Sequence, residues 1–178
     1  MKPERINTVL IIICMVLLVG GFWYFGSKQP KIAYVKTAML YDGFDYKHEL
    51  EKKLEDTKYQ RKAILDSILM QLQALSEQLK ANKNNDPEKI EKFQQMRSQY
   101  LAKEKQFSED NQALAEKYSS DIWKQLNQYV TEYGHQHGFT YIFGADGSGA
   151  LMAASNDKDI TEDVKIFVNR RYNGKISD

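Results

Sequence analysis

The feature that most constrains this sequence is a long stretch in which apolar residues recur at alternating intervals of three and four. Leu65, Ile68, Leu72, Leu75 and Leu79 keep this interval before a polar turn sequence, and the interval resumes from Ile90. It is the spacing of helices that pair along one face, as in coiled coils. We therefore predict two antiparallel helices over residues 44–133, with the tip of the hairpin near residues 82–87.

The start of the second helix is also marked in the sequence. Pro87 suits the first position of a helix, and Asp86 before it suits the N-cap. At about 1.5 Å per residue the two arms would each span about 55–70 Å, so they must project from the rest of the chain. Several positions of the apolar seam are polar, which weakens the pairing of the arms. These polar seam positions are Thr57, Arg61, Arg97, Glu104 and Asn111.

The segments on either side of the arms, residues 31–43 and 134–178, contain short β-prone runs. We predict that they form a small β-rich head, with a final helix whose N-cap is Asp159. The three predicted strands are Ile32–Val35, Phe139–Phe143 and Leu151–Ala153, the last two forming a hairpin. Such a small head cannot support two long arms in a monomer, so we expect copies of the chain to associate through the head.

The N-terminal residues 1–30 contain a membrane anchor or an export signal. Residues 8–26 carry no charge, and a helix of that length would reach about 30 Å, the thickness of a bilayer core. Cleavage after the glycines of this segment is one interpretation. An uncleaved anchor is the other, and it better explains Trp23 and Tyr24, whose rings suit the membrane interface. Both interpretations send the rest of the chain across the membrane.

Composition argues against several other functions. The chain has 25 Lys+Arg against 24 Asp+Glu, without the basic excess typical of nucleic-acid binding. A single cysteine and the His135–His137 pair supply too few ligands for a metal site. No arrangement of nucleophile and base is recognisable. We therefore expect neither a cofactor nor catalysis.

The order of these segments resembles the Skp/OmpH family of periplasmic chaperones. The resemblance rests on Ile32–Val35, Tyr141–Phe143, Leu151–Ala153, Asp159–Thr161, Val164 and Asn169–Tyr172. It implies an α+β fold, in which a long antiparallel helical hairpin projects from a small β-rich trimerisation head. It further implies a homotrimer that acts without ATP and encloses unfolded outer-membrane or secreted proteins between its arms. Here the protein would lie in the periplasm, tethered to the inner membrane through residues 8–26, or soluble there after cleavage.

The resemblance also suggests which residues make these contacts. The aromatic rings of the arms either fill the poor seam or line an exposed surface, and sequence alone leaves both open. On the second interpretation the client-binding candidates are Ile68, Leu72, Leu75, Phe93, Tyr100 and Phe107. The oligomerisation candidates are Ile32, Tyr34, Tyr141, Phe143 and Leu151.

Two observations qualify the comparison with a freely diffusing chaperone. Residues 44–133 carry 15 Lys+Arg and 16 Asp+Glu, so we expect weak electrostatic capture of clients. A retained anchor would also fix the protein to the membrane. The alternative function is a structural coiled-coil adaptor, anchored to the membrane within a cell-envelope complex.

Overall fold

A computed structural model describes residues 29–81 and 86–174, together with Cys14, Met15 and Gly20. The rest of the predicted membrane segment 8–26 and the hairpin tip at 82–85 lie outside the described residues. Within the ranges that are described, no helix is both long enough and apolar enough to cross a membrane.

The architecture is dominated by the two long helices of the arm. They contain 37 and 50 residues, which corresponds to lengths of about 55 Å and 75 Å. The remaining elements form the head at the base of the arm. In chain order the elements are β1 (Ile32–Lys36), α1 (Thr37–Asp42), α2 (Asp45–Ala81), α3 (Pro87–Gln136), β2 (Tyr141–Ala145), a 3-10 turn (Asn156–Lys158) and α4 (Thr161–Tyr172).

The ends of α3 follow local sequence signals. The Asp86 side chain accepts a hydrogen bond from the Lys89 backbone N–H at 3.4 Å, and Pro87 occupies the first turn, which confirms the predicted cap. At the other end the helix continues through Gly134 and stops after Gln136. Gly138 then adopts a φ of 69°, a left-handed conformation that glycine takes without a side-chain clash.

Two of the polar positions of the seam, Arg61 and Asn111, are paired across the arm. Arg61 on α2 donates a hydrogen bond to the side-chain oxygen of Asn111 on α3. Its guanidinium also lies 3.7 Å from a carboxylate oxygen of Asp110. The arm therefore contains a polar layer between its two apolar halves, and the cost of placing Arg61 there is reduced by these partners.

A buried core lies where the arm meets the head. Phe44, Val164 and Val168 have no exposed surface, and the rings of Tyr129 and Tyr172 meet Phe44 edge-to-face at 6.2 and 5.8 Å. These contacts fix α4 against the lower part of the arm. The buried members of this base core are Val35, Leu40, Phe44, Leu50, Ile122, Leu126, Tyr133, Val164 and Val168.

The sheet differs from the predicted arrangement. Strands β1 and β2 pair in parallel, with Ile32 opposite Tyr141 and Lys36 opposite Ala145. The predicted partner strand Leu151–Ala153 is wrong, because these residues form no strand in the described chain. The described part of the head thus contains two strands rather than three, and with α1 and α4 it is less β-rich than predicted.

The Asp159 carboxylate is one of the links between β1 and the start of α4, beside a hydrogen bond from the Lys36 backbone N–H to the Thr161 hydroxyl at 2.8 Å. The predicted N-cap at Asp159 is wrong by one residue, since Ile160 occupies that position. Asp159 instead accepts hydrogen bonds from the Thr161 backbone N–H at 3.0 Å and from the Thr161 hydroxyl, and lies 2.9 Å from the Lys36 ammonium. The Thr161 hydroxyl and then the Lys36 ammonium lower the pKa of Asp159 to about 2.

Candidate functional site

The arm has an open apolar groove of about 420 Å³ in the half nearer the tip. It lies along one side of the α2–α3 pair, and both helices contribute side chains. We call it the arm groove. Its apolar lining residues are Leu69, Leu72, Phe93, Tyr100 and Leu101, and its polar ones are Gln73, Ser76, Glu77, Lys80 and Arg97.

The groove exists because apolar residues extend beyond the seam. Leu72 belongs to the heptad seam and is only 7% exposed. Leu69 lies almost one turn earlier on the flank of α2 and is 39% exposed, while Leu101 on α3 is 52% exposed. The floor of the groove is therefore part of the helix–helix contact, whereas its apolar rim faces solvent.

Tyr100 adds a polar group to this surface. Its hydroxyl donates a hydrogen bond to the Glu104 carboxylate at 3.3 Å. Partial burial, followed by the nearby charge of Glu104, raises the pKa of Tyr100 above its ordinary value of 10.0. The ring is consequently neutral at physiological pH, and it contributes an apolar face to the groove.

The charged residues of the groove are not paired with one another. Lys80, Glu77 and Arg97 all line it, yet neither cation forms an ion pair with a carboxylate in the part of the chain that is described. The groove therefore has a small positive excess beside its apolar rim. Over the same residues, no three His, Cys, Asp or Glu side chains are grouped as a metal site would require.

The structure brings together three of the client-binding candidates. Leu72, Phe93 and Tyr100 line the arm groove. Leu75 is buried in the seam at 9% exposure, and Ile68, earlier on the same helix, is half-buried. The ring of the half-buried Phe107 lies further towards the base, with the charged groups of Arg61 and Lys103 each 5.5 Å from its centre. 

Sequence reasoning missed the two exposed leucines of the rim. Leu69 and Leu101 are each an apolar residue next to a seam position, on opposite helices. One such residue is common on any helix surface. Only the relative rotation of the two helices shows that they face the same groove.

The oligomerisation candidates fall into two groups. Ile32, Tyr141 and Phe143 are 42%, 55% and 46% exposed, and the register places them on one face of the two-stranded sheet. The rings of Tyr141 and Phe143 lie 6.1 Å apart. Tyr34, by contrast, is buried within its own chain, and Leu151 lies in the segment after β2 and is half-buried. We call the exposed group, which consists of Ile32, Tyr141 and Phe143, the sheet face.

One protein-family model matches most of this chain. The model of a family described as outer membrane protein (OmpH-like) matches residues 31–166, from β1 through both helices of the arm into α4. The chain belongs to the OmpH-like family. No curated protein was found to match this OmpH-like chain. Members of the family are non-enzymatic periplasmic chaperones, so membership indicates a chaperone-type role in the handling of outer membrane proteins.

Proposed function

We propose that the chain is an ATP-independent holdase that binds unfolded outer-membrane or exported proteins through the arm groove. The observation that carries this proposal is the solvent-exposed apolar rim of Leu69 and Leu101, which lies on opposite helices beside one apolar groove. Clustered exposed apolar residues commonly mark binding surfaces. Unfolded outer-membrane strands carry apolar side chains on every second residue, which an open apolar groove can cover without folding them.

We also propose that three copies associate through their heads and surround a client with their arms. The sheet face supports this, because Ile32, Tyr141 and Phe143 leave apolar and aromatic surface exposed on a head of few residues. Aromatic side chains are enriched in protein interfaces. We expect analytical ultracentrifugation to give the mass of three chains. We expect a lower mass when Phe143 is replaced by Ser. A particle of one chain at micromolar concentration would contradict this assembly.

The proposed location is the periplasmic face of the inner membrane. The charge-free residues 8–26 support a retained anchor, since their length suits a bilayer core. Intact mass spectrometry of the protein recovered from both the membrane and the periplasmic fractions tests the anchor. A mass lacking the first twenty or so residues would instead support a soluble periplasmic protein after cleavage.

The holdase proposal is tested by aggregation of a client. The full chain, held in lipid nanodiscs, is mixed with a urea-unfolded outer-membrane β-barrel protein on dilution, and light scattering is compared with that of empty nanodiscs. We expect suppression at stoichiometric concentrations, strongly reduced by the double variant Leu69→Ser/Leu101→Ser. These positions are partly exposed, so the seam stays paired.

A matched pair of substitutions controls for a general loss of apolar surface. Ile64 and Met70 are 46% and 69% exposed on α2 but do not line the groove. The variant Ile64→Ser/Met70→Ser should therefore retain suppression. Equal losses from both pairs would contradict the groove as the binding site. No suppression by the parent chain, with capture of one stable folded partner, would favour the adaptor function.

A further inference from the structure

The arm groove carries a regular order of side chains along α3. Phe93, Arg97 and Leu101 lie four residues apart and all line the groove. Four residues of helix advance about 6 Å along the axis. The groove therefore presents an apolar, a cationic and an apolar position at nearly equal intervals.

An extended polypeptide has the same interval on one of its faces. Alternate residues of a β-strand point to the same side and are about 6.6–6.8 Å apart. Residues i, i+2 and i+4 of an extended segment can thus lie opposite Phe93, Arg97 and Leu101 in turn. The volume of about 420 Å³ is large enough for more than one side chain, because ligand sites of about 300 Å³ and above accommodate whole small molecules.

The charge of the groove specifies the middle residue. Arg97 is exposed, and it has no carboxylate partner within the residues described. A guanidinium can donate two parallel hydrogen bonds to one carboxylate. The neighbouring Lys80 gives the groove a positive excess over Glu77, which also favours an acidic ligand.

We propose that the arm groove selects extended segments with the pattern apolar–x–acidic–x–apolar, in which the acidic side chain pairs with Arg97. This inference rests on the proposed holdase function and names the class of segment that the groove holds. The two apolar side chains lie on Phe93 and on the Leu69–Leu101 rim. Binding of this kind depends on a pattern of side chains and not on one sequence, so within a client it favours segments in which an acidic residue interrupts the apolar alternation.

The test uses blocked, fluorescently labelled peptides and the full chain in nanodiscs, with empty nanodiscs subtracted. One peptide has the order Phe-Thr-Glu-Thr-Leu, a second has Gln in place of Glu, and a third has the same composition in the order Phe-Leu-Thr-Thr-Glu. Fluorescence anisotropy gives the Kd of each. We expect the first peptide to bind about threefold to fivefold more tightly than the other two, the range of an exposed ion pair.

Arg97→Gln should remove this preference, so that the first two peptides bind equally and as weakly as the second peptide binds the parent chain. Lys92→Gln is the matched control, because Lys92 is an exposed cation of α3 that does not line the groove; it should retain the preference. Equal binding of all three peptides to the parent chain would overturn the inference, as would an equal loss from Lys92→Gln.

The outcomes separate this inference from the proposed function. If the chain suppresses client aggregation but does not distinguish the peptides, the holdase function is supported and the pattern selection is contradicted. If the chain distinguishes the peptides but fails to suppress aggregation, the groove is a peptide-binding site and the holdase function is contradicted.

Discussion

The carboxylate of Asp159 offers the sharpest test of how the head is held together. It lies only 2.9 Å from the Lys36 ammonium of β1 and accepts two hydrogen bonds from Thr161 at the start of α4. The perturbation is Asp159→Asn, which keeps the size of the side chain and removes its charge. Two other hydrogen bonds between the elements remain: the Lys36 backbone N–H donates to the Thr161 hydroxyl at 2.8 Å, and the Ile160 backbone N–H donates to the Tyr34 carbonyl at 3.0 Å.

The magnitude follows from the pKa of Asp159, which is lowered from 3.8 to about 2. Each tenfold change in proton affinity corresponds to about 1.36 kcal/mol, so the full effect is about 2.4 kcal/mol. Solvent screens part of it, because the Lys36 side chain is half exposed. We therefore expect Asp159→Asn to lower the free energy of unfolding by about 1–2 kcal/mol at neutral pH.

The direction of the pH dependence follows from the lowered pKa. A carboxyl whose pKa is lower in the folded state stabilises the protein above its unfolded pKa, and this stabilisation is lost as protons bind. The difference between the parent and Asp159→Asn should therefore be complete above about pH 4 and shrink as the pH falls towards 2.

The assay is urea unfolding of the full chain across this pH range, at fixed protein concentration. Amide hydrogen exchange of β1 gives a local measure. If β1 detaches before the whole head unfolds, its exchange should accelerate about fivefold to thirtyfold at neutral pH. Asp157→Asn is the control, since Asp157 is an exposed carboxylate whose partners, the Ser155 side chain and Lys158, both lie in its own segment. A loss that is independent of pH, or that the control reproduces, would refute the reasoning.

Three further variants test the base core and the polar layer. Leu126→Ala, at a position only 2% exposed, should lower the free energy of unfolding by about 2–5 kcal/mol in urea titrations; a loss below about 1 kcal/mol would show that the site is not tightly packed. Replacing Arg61 and Asn111 together by Leu should slow amide exchange in the middle of both arm helices, because a continuous apolar seam replaces a partly buried polar pair. Asn111→Leu alone should speed that exchange, because Arg61 loses its hydrogen bond and keeps only the 3.7 Å contact with Asp110. Unchanged exchange in both variants would contradict a pairing role for this layer.

The arms could be predicted from the sequence because their signal is local and repeated. The alternation of three and four residues persists over many turns, and the predicted residues 44–133 compare with the observed Asp45–Ala81 and Pro87–Gln136. The cap at Asp86 was equally local, since the residue and its partner Lys89 are three positions apart. Such features do not depend on how the rest of the chain folds.

The head could not be predicted to the same extent because its contacts join distant residues. Ile32 lies opposite Tyr141 in the parallel pair, and no local pattern distinguishes that pairing from a hairpin with Leu151–Ala153. Alternating residues predict that a segment is a strand but do not identify its neighbour. Helix α1 has only six residues, too few to show a helical period.

The arm groove could be predicted from the sequence only in part. Leu72, Phe93 and Tyr100 were identified because they belong to the repeated seam, and the same membership gives them a structural role. Substituting them would weaken both the helix pair and the groove, so their loss alone would not separate the two roles. The rim residues Leu69 and Leu101 do not share this ambiguity, since they are substantially exposed.

The floor of the groove belongs both to the binding surface and to the helix–helix contact, so ligand binding is expected to affect the stability of the arm. A ligand that covers the exposed rim removes apolar surface from water, at about 25 cal/mol per Å². It does so without displacing the seam, because Leu72 already contacts the opposite helix from the floor of the groove. Binding should therefore reinforce the outer half of the arm. The polar layer of Arg61 and Asn111 lies nearer the base, so an arm can adjust there while its loaded half stays paired.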